Sequence, residues 1–246
     1  MRNSVLEKLK KFEDPLFKFD PKKHCYTYED EVFISVTKYK ERFYKKFEED
    51  FWSKKKAEEK GVSQEEILLE WKQLAERSQI IGNGIHNWIE NYFNEVLQKI
   101  PNDLDIVDRI NKFNILYAEH LHKLEPVKFE QRIFSKKWKL AGMIDSIFVW
   151  NNKIFILDWK SNKKMTHDDH DEGKYEKLLS PLDNFYKNHI NEYSIQVSLY
   201  KLILKEIDID IKACYLVHIG PNEPAKLYKA HDLSSILEDY LNNNPL

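Results

Sequence analysis

Asp145, Asp158 and Lys160 have the residue types and the spacing to act together. Gly142-Met-Ile-Asp145 is followed, after a short gap, by Ile154-Phe-Ile-Leu-Asp158-Trp-Lys160. Asp158 and Lys160 are two residues apart, so on a strand they point to one face. Between the segments stands Asn151-Asn152. Asparagine tolerates the positive φ that two-residue hairpin turns require. A hairpin on that turn pairs 150 with 153 and 149 with 154, and it sets Asp145 directly opposite Asp158. Opposed residues on one face have Cβ atoms about 4.5–5.5 Å apart. Two carboxylates that close repel each other unless positive charge lies between them. A hard divalent cation with Lys160 beside it meets that need. A β-bulge would shift this register by one residue.

The elements that must position these residues are visible as periodic patterns. Ile154 and Ile156 share a face with Asp158, and Phe155 and Leu157 share the other, so the strand 153–160 is expected to be central, with both faces covered. Strands at 127–134 and 138–150 precede it. Upstream, His24-Cys-Tyr-Thr-Tyr28 and Val32-Phe-Ile-Ser-Val36 form a small hairpin around Glu29-Asp30-Glu31. Residues 38–60 read as helical. Ser63-Gln-Glu-Glu66 is a capping-box start for a helix carrying Ile67, Leu68, Trp71 and Leu74. Gly82-Asn-Gly84 then punctuates the chain. A further amphipathic helix carries Ile85, Ile89, Tyr92, Phe93 and Val96, and another covers 103–124 until Pro126 stops it. A long polar loop spans about 161–188. Helix 190–206, strand 211–219 and helix 232–242 close the chain. The fold class is α/β (α+β): a central mixed β-sheet flanked by helices. One domain, 1–246, is expected, with 1–80 a mostly helical N-terminal part with a small β-hairpin and 81–246 the core.

Composition narrows the function classes. The chain has 246 residues, 33% of them charged, and a formal net charge of −2, so a nucleic-acid partner would need a local basic groove or metals that offset the acidic site. Two cysteines, Cys25 and Cys214, cannot make a disulfide scaffold or a four-cysteine cluster. No run of about 18 apolar residues is present, so no membrane helix is expected. The N-terminal stretch reads as neither a secretion signal nor a transit peptide. No GxxxxGK[ST] or GxGxxG motif occurs.

Taken in order, the motifs are a helix with Gly82-Asn-Gly-Ile-His86, a strand with Glu130, Gly142-x-x-Asp145, Asp158-x-Lys160 and Gln196-x-x-x-Tyr200. This order resembles the PD-(D/E)XK nuclease superfamily, and within it the RecB-like branch. That branch includes RecB nuclease domains, the iron–sulfur nucleases of CRISPR adaptation and mitochondrial genome maintenance exonucleases. Residues 24–37 and Trp71 to Glu90 also resemble phage-encoded nucleases of this type. The proline of the motif is absent, with Ile144 before Asp145, and Ser161 follows Lys160 where threonine is frequent.

The resemblance implies a restriction-endonuclease-like core and one or two Mg²⁺ or Mn²⁺ ions. It implies that Asp145, Asp158, the Trp159 backbone carbonyl and His86 are metal ligands. Lys160 would orient or deprotonate the attacking water and stabilise transition-state charge. Gln196 and Tyr200 share a helix face and would contact DNA or support the site, as would Glu130 from its upstream strand. An iron–sulfur cluster is excluded by the cysteine count. The implied activity is a metal-dependent deoxyribonuclease, an exonuclease on single-stranded DNA ends in replication, recombination or repair. The implied location is the cytoplasm, the host's if the chain is phage-encoded. The competing readings are a structure-specific endonuclease and a non-catalytic nucleic-acid-binding subunit on a nuclease fold.

Two clusters read otherwise than their composition first suggests. Lysines at 45, 46, 54, 55 and 56 alternate with Phe43, Tyr44, Phe47, Phe51 and Trp52, a pattern that can grip single strands. Neighbouring Glu48, Glu49, Asp50, Glu58 and Glu59 favour a solvated helix face instead. His167 and His170, with Asp168, Asp169 and Asp171, suit an acidic loop better than a second metal site.

Overall fold

The asparagine hairpin forms on the expected turn. In the computed structural model, which describes residues 1–23, 25–166 and 176–244, Asn151 and Asn152 have φ of 48° and 54°. The strands they join are β5 (Leu140–Trp150) and β6 (Lys153–Lys160), and Trp150 pairs with Lys153 and Val149 with Ile154 as read. His24 of the first hairpin and the histidine–aspartate cluster at 167–171 lie outside the described residues.

Before this hairpin come α1 (Arg2–Leu9), β1 (Phe17–Asp20), β2 (Cys25–Tyr28), β3 (Glu31–Ser35), α2 (Val36–Lys40), α3 (Glu49–Lys60), α4 (Gln64–Phe93), α5 (Leu104–Leu116) and β4 (Glu125–Ser135). After it come α6 (His189–Lys205), β7 (Ile211–His218), β8 (Lys226–Lys229) and α7 (Ser234–Asn243). The strands form one mixed sheet in the order β1-β2-β3-β5-β6-β7-β8, with β4 also paired to β5. β3 and β7 run parallel to their inner neighbours, and the other pairs are antiparallel. The fold is the expected α/β arrangement, a central mixed sheet flanked by helices.

β6 is central, and its alternation divides the hydrophobic interior in two. Ile154 and Ile156 join the core shared with α1, α6 and α7, whereas Phe155, Leu157 and Trp159 join the core under α4 and α5. The capping box is present: Ser63 Oγ accepts from Glu66 N at 3.2 Å, and Ser63 N donates to Glu66 Oε2 at 2.8 Å.

Three elements depart from the expected pattern. Gly82-Asn-Gly84 does not interrupt the chain, because α4 runs unbroken from Gln64 to Phe93. Its glycines serve close packing: a Cβ on Gly84 would lie 2.5 Å from Ile106 Cδ1 of α5, and one on Gly82 would lie 3.4 Å from Ser161 Oγ. Residues 38–60 are not one helix. Ser35 Oγ caps α2 by accepting from Lys38 N at 3.1 Å, and irregular backbone follows before α3. The helix expected over 103–124 is α-helical only to Leu116, then widens into a π turn over Tyr117–Leu121.

Candidate active site

The site occupies a fork in the sheet. One edge of β5 pairs with β3 at Leu140 and Ala141, then with β6 from Ser146 onward. Residues 142–145 lie between these two ladders. The β5–β6 ladder ends at Ser146–Leu157, one pair short of the predicted Asp145–Asp158 opposition. There the Asp145 side chain takes the place of a strand partner, its Oδ2 accepting from Trp159 N at 2.8 Å. Gly142 lets the fork close over α6, since a Cβ there would fall 2.7 Å from Tyr200 Cε1.

On the other edge of β5, Phe129 pairs with Ser146 and Gln131 with Ile144, which brackets Glu130 opposite Asp145. Glu130 has φ of 46°, a left-handed conformation costly for a residue with a Cβ. The turn of backbone brings its carboxylate toward α4, where His86 Nδ1 lies 3.9 Å from Glu130 Oε1 and 3.8 Å from Asp145 Oδ2. One donor atom from each of His86, Glu130 and Asp145 falls within 4.8 Å of the others.

His86 Nε2 lies 3.0 Å from the Trp159 carbonyl. A proton on Nε2 satisfies that carbonyl and leaves the Nδ1 lone pair toward the two carboxylates, the tautomer a metal ligand needs. Burial opposes charge on this imidazole, but the Asp145 and Glu130 carboxylates override it and push His86 up to about 9. The donor set, one imidazole nitrogen and carboxylate oxygens, fits a divalent cation such as Mn²⁺ or Mg²⁺.

Asp158 and Lys160 form the second half of the site, on the α6 side of the sheet. Asp158 is fully buried, and its Oδ2 lies 2.5 Å from Lys160 Nζ. That oxygen has no well-aligned hydrogen-bond donor among the described residues, so it keeps ligating capacity. Burial pushes the Asp158 carboxyl up, with Lys160 pulling the other way. Burial also disfavours the Lys160 ammonium, but Asp158 and Asp145 outweigh it and hold the proton on the lysine. The Lys160 Nζ sits 4.6 Å over the Tyr193 ring.

A buried polar chain fixes the remaining Asp158 oxygen. Gln196 Nε2 donates to Asp158 Oδ1 at 3.3 Å and to Tyr200 Oη at 3.1 Å. Gln196 Oε1 accepts from Lys40 Nζ at 3.1 Å. A lysine can only donate, so Lys40 forces the amide to present its NH₂ to Asp158. Lys40 is buried, and that burial, helped by Lys160, pushes its ammonium down to about 8. Burial first, then the Asp158 and Asp145 carboxylates, keep the Tyr200 phenol protonated.

All of the sequence-derived candidates therefore meet at one fork, in two groups. His86, Glu130 and Asp145 converge as potential ligands. Asp158, Lys160, Gln196 and Tyr200 form a hydrogen-bonded row, and the Trp159 carbonyl joins the two groups through His86. Sequence reasoning missed Lys40 and Tyr193. Tyr193 was discoverable, since 193, 196 and 200 share one helical face. Lys40 was not, being one lysine among many in its stretch.

A family model described as the PD-(D/E)XK nuclease superfamily matches residues 40–241. RecBCD enzyme subunit RecB of Buchnera aphidicola subsp. Acyrthosiphon pisum (strain APS) is 26% identical over 141 residues, which cover 48% of this chain and 11% of that protein. The chain thus spans a small part of the length of this relative. A crystal structure of a protein assigned as an exonuclease, from Eubacterium rectale, aligns with a TM-score of 0.43 and 9% identity, covering 68% of this chain and 62% of that one.

Proposed function

Because the chain belongs to the PD-(D/E)XK nuclease superfamily, we propose that it is a divalent-cation-dependent deoxyribonuclease acting as an exonuclease on single-stranded DNA ends. The observation that carries the reading is the convergence of His86, Glu130 and Asp145 beside the Lys160–Asp158 pair. His86 Nδ1, Glu130 and Asp145 would hold a Mg²⁺ or Mn²⁺ ion, with Asp158 Oδ2 available to complete the ligand set; the Trp159 carbonyl, expected from the resemblance to be a ligand, instead faces His86 Nε2, away from Nδ1. Such a cation supplies Lewis acidity toward a phosphate oxygen and acidifies water for attack.

The chain's own residues do the rest. Lys160, held protonated by Asp158 and Asp145, is an ammonium rather than a resting base. It donates hydrogen bonds to the attacking water and to charge developing on the phosphate oxygens. Asp158 positions Lys160, while Gln196, Tyr200 and Lys40 position Asp158. His86 is oriented by its Nε2, which donates to the Trp159 carbonyl, so Nδ1 faces inward, where a bound cation would replace the proton that Asp145 and Glu130 favour.

Among the described residues no helix is long and apolar enough to cross a membrane, and Cys25 and Cys214 are free thiols. The family match is what supports a role in DNA replication, recombination or repair. The catalytic test is Mg²⁺-dependent digestion of single-stranded DNA by wild type beside Asp158→Ala and Lys160→Ala. The reading expects digestion by wild type and loss in both variants; equal activity in all three would sink it. For end dependence, linear strands are expected to disappear while closed circles of the same sequence persist. Equal rates would make the chain an endonuclease.

A further inference from the structure

A groove of about 670 Å³ opens beside the site, between the irregular segment after α2, the helices α3 and α4, and the start of α6. Phe47, Trp52, Trp71, Lys45, Lys46 and His189 line it. His189 stacks on Tyr193, ring centroids 6.0 Å apart and planes 13° apart. The same Tyr193 ring carries Lys160 Nζ at 4.6 Å and Lys40 Nζ at 5.0 Å. Ring and ammonium contacts thus link the groove lining, through His189 and Tyr193, to the Asp158–Lys160 pair.

We infer that this groove is the track for a single-stranded polynucleotide on its way to the site, an inference that rests on the nuclease reading. Three features of the groove support the occupant. Phe47 and Trp52 are 64% and 37% exposed, and Phe47 lies against Trp71 with centroids 5.6 Å apart. Exposed rings in a polar groove gain most from flat, unpaired bases, whose faces a duplex conceals. Two of the five acidic residues that favour a plain solvated helix are engaged by lysines of the same stretch, Asp50 by Lys54 at 2.8 Å and Glu59 by Lys56 at 3.0 Å, and in the groove itself Glu176 is engaged by Lys187 at 3.1 Å. Lys45 and Lys46 are exposed and have no ion-pair partner among the described residues, so they are free to meet phosphates, although Glu48 and Glu192 also line the groove. Alternating bases and phosphates match this alternation of rings and ammonium groups.

The test is fluorescence anisotropy of a 5′-labelled 12-nucleotide oligothymidylate in EDTA, where binding is read without cleavage. Wild type is compared with Phe47→Ala/Trp71→Ala and with Lys45→Ala/Lys46→Ala. The ring pair is expected to weaken binding about tenfold or more. The lysine pair, at exposed positions that leave folding intact, is expected to flatten the log–log salt slope by about 1.4, or about 0.7 per lost phosphate contact. An unlabelled blunt duplex of the same length is expected to compete poorly. The track is overturned if both double variants bind as wild type does, if wild type does not bind the strand, or if the duplex competes as well as the strand. Binding through the groove by a protein that cuts no DNA would fail the nuclease reading alone. Cleavage with groove-independent binding would fail the track alone.

Discussion

Replacing Lys40 by methionine is expected to change stability in a way that depends on pH. Lys40 is 7% exposed, and burial chiefly pushes its ammonium from 10.5 down to about 8. The unfolded chain therefore binds this proton more tightly than the folded chain between those two values. Where the unfolded state binds more protons, stability rises with pH. The penalty for burying the charge is full below pH 8 and gone above 10.5. At about 1.4 kcal/mol per pH unit, it is on the order of 3 kcal/mol at neutral pH. Methionine keeps the length and apolar volume of the side chain and removes the charge. Against that gain, Gln196 Oε1 loses its donor, at about 1–3 kcal/mol. Lys40→Met should therefore be from equally stable to about 2 kcal/mol more stable than wild type at pH 7. Urea unfolding of both proteins at pH 7 and pH 10 tests this. Wild type should gain about 2–3 kcal/mol on the variant between the two pH values. Nuclease activity should fall, because nothing then holds the Gln196 amide toward Asp158. Parallel pH profiles, or full activity with a neutral residue at position 40, would refute the reasoning.

Other substitutions separate the two halves of the site. Glu130→Asn places a residue tolerant of positive φ where Glu130 has φ of 46°. It should raise stability in urea by up to about 1 kcal/mol while weakening Mn²⁺ binding by calorimetry. Gly142→Ala puts a Cβ 2.7 Å from the Tyr200 ring, which is buried and has no room to swing. It should cost about 1–3 kcal/mol in urea unfolding and lower activity through the displaced Tyr200–Gln196 contact. Cys25 should react with a thiol reagent in the native protein while Cys214 should not, since burial pushes the Cys214 thiol up to about 12.

What could be read in the chain, and what could not, follows from the range of the interactions involved. The asparagine turn, the pairing next to it and the capping box are local, and each appears where its residues indicate. The two-faced apolar pattern of β6 correctly marked a central strand, because burial on both faces leaves no polar alternation. Features set by distant contacts were not legible. Gly82 and Gly84 look like a helix break, yet the gap they leave for Ser161 and Ile106 is visible only when α4 lies on its neighbours. The hairpin ladder stops before Asp145 because β5 exchanges one partner strand for another there, and no local pattern encodes that fork. β8, Lys226-Leu-Tyr-Lys229, has its two apolar residues adjacent and a lysine at each end, so it carries no alternation to read. The left-handed Glu130 interrupts a strand pattern that otherwise looks regular. The lysine-rich stretch was read as a solvated face because carboxylates are abundant in it. Two of those carboxylates, Asp50 and Glu59, pair with Lys54 and Lys56 of the same stretch, and Lys45 and Lys46 have no ion-pair partner among the described residues.

The most direct test of the account is the rate of single-turnover cleavage of an end-labelled DNA strand as a function of Mn²⁺ concentration. Wild type, Asp145→Asn and Lys160→Met are measured side by side. The account predicts saturable cleavage by wild type and a midpoint at least about tenfold higher in Asp145→Asn. Lys160→Met should keep the wild-type midpoint with a rate reduced about a hundredfold or more. Cleavage independent of Mn²⁺, or identical curves for the three proteins, would contradict it.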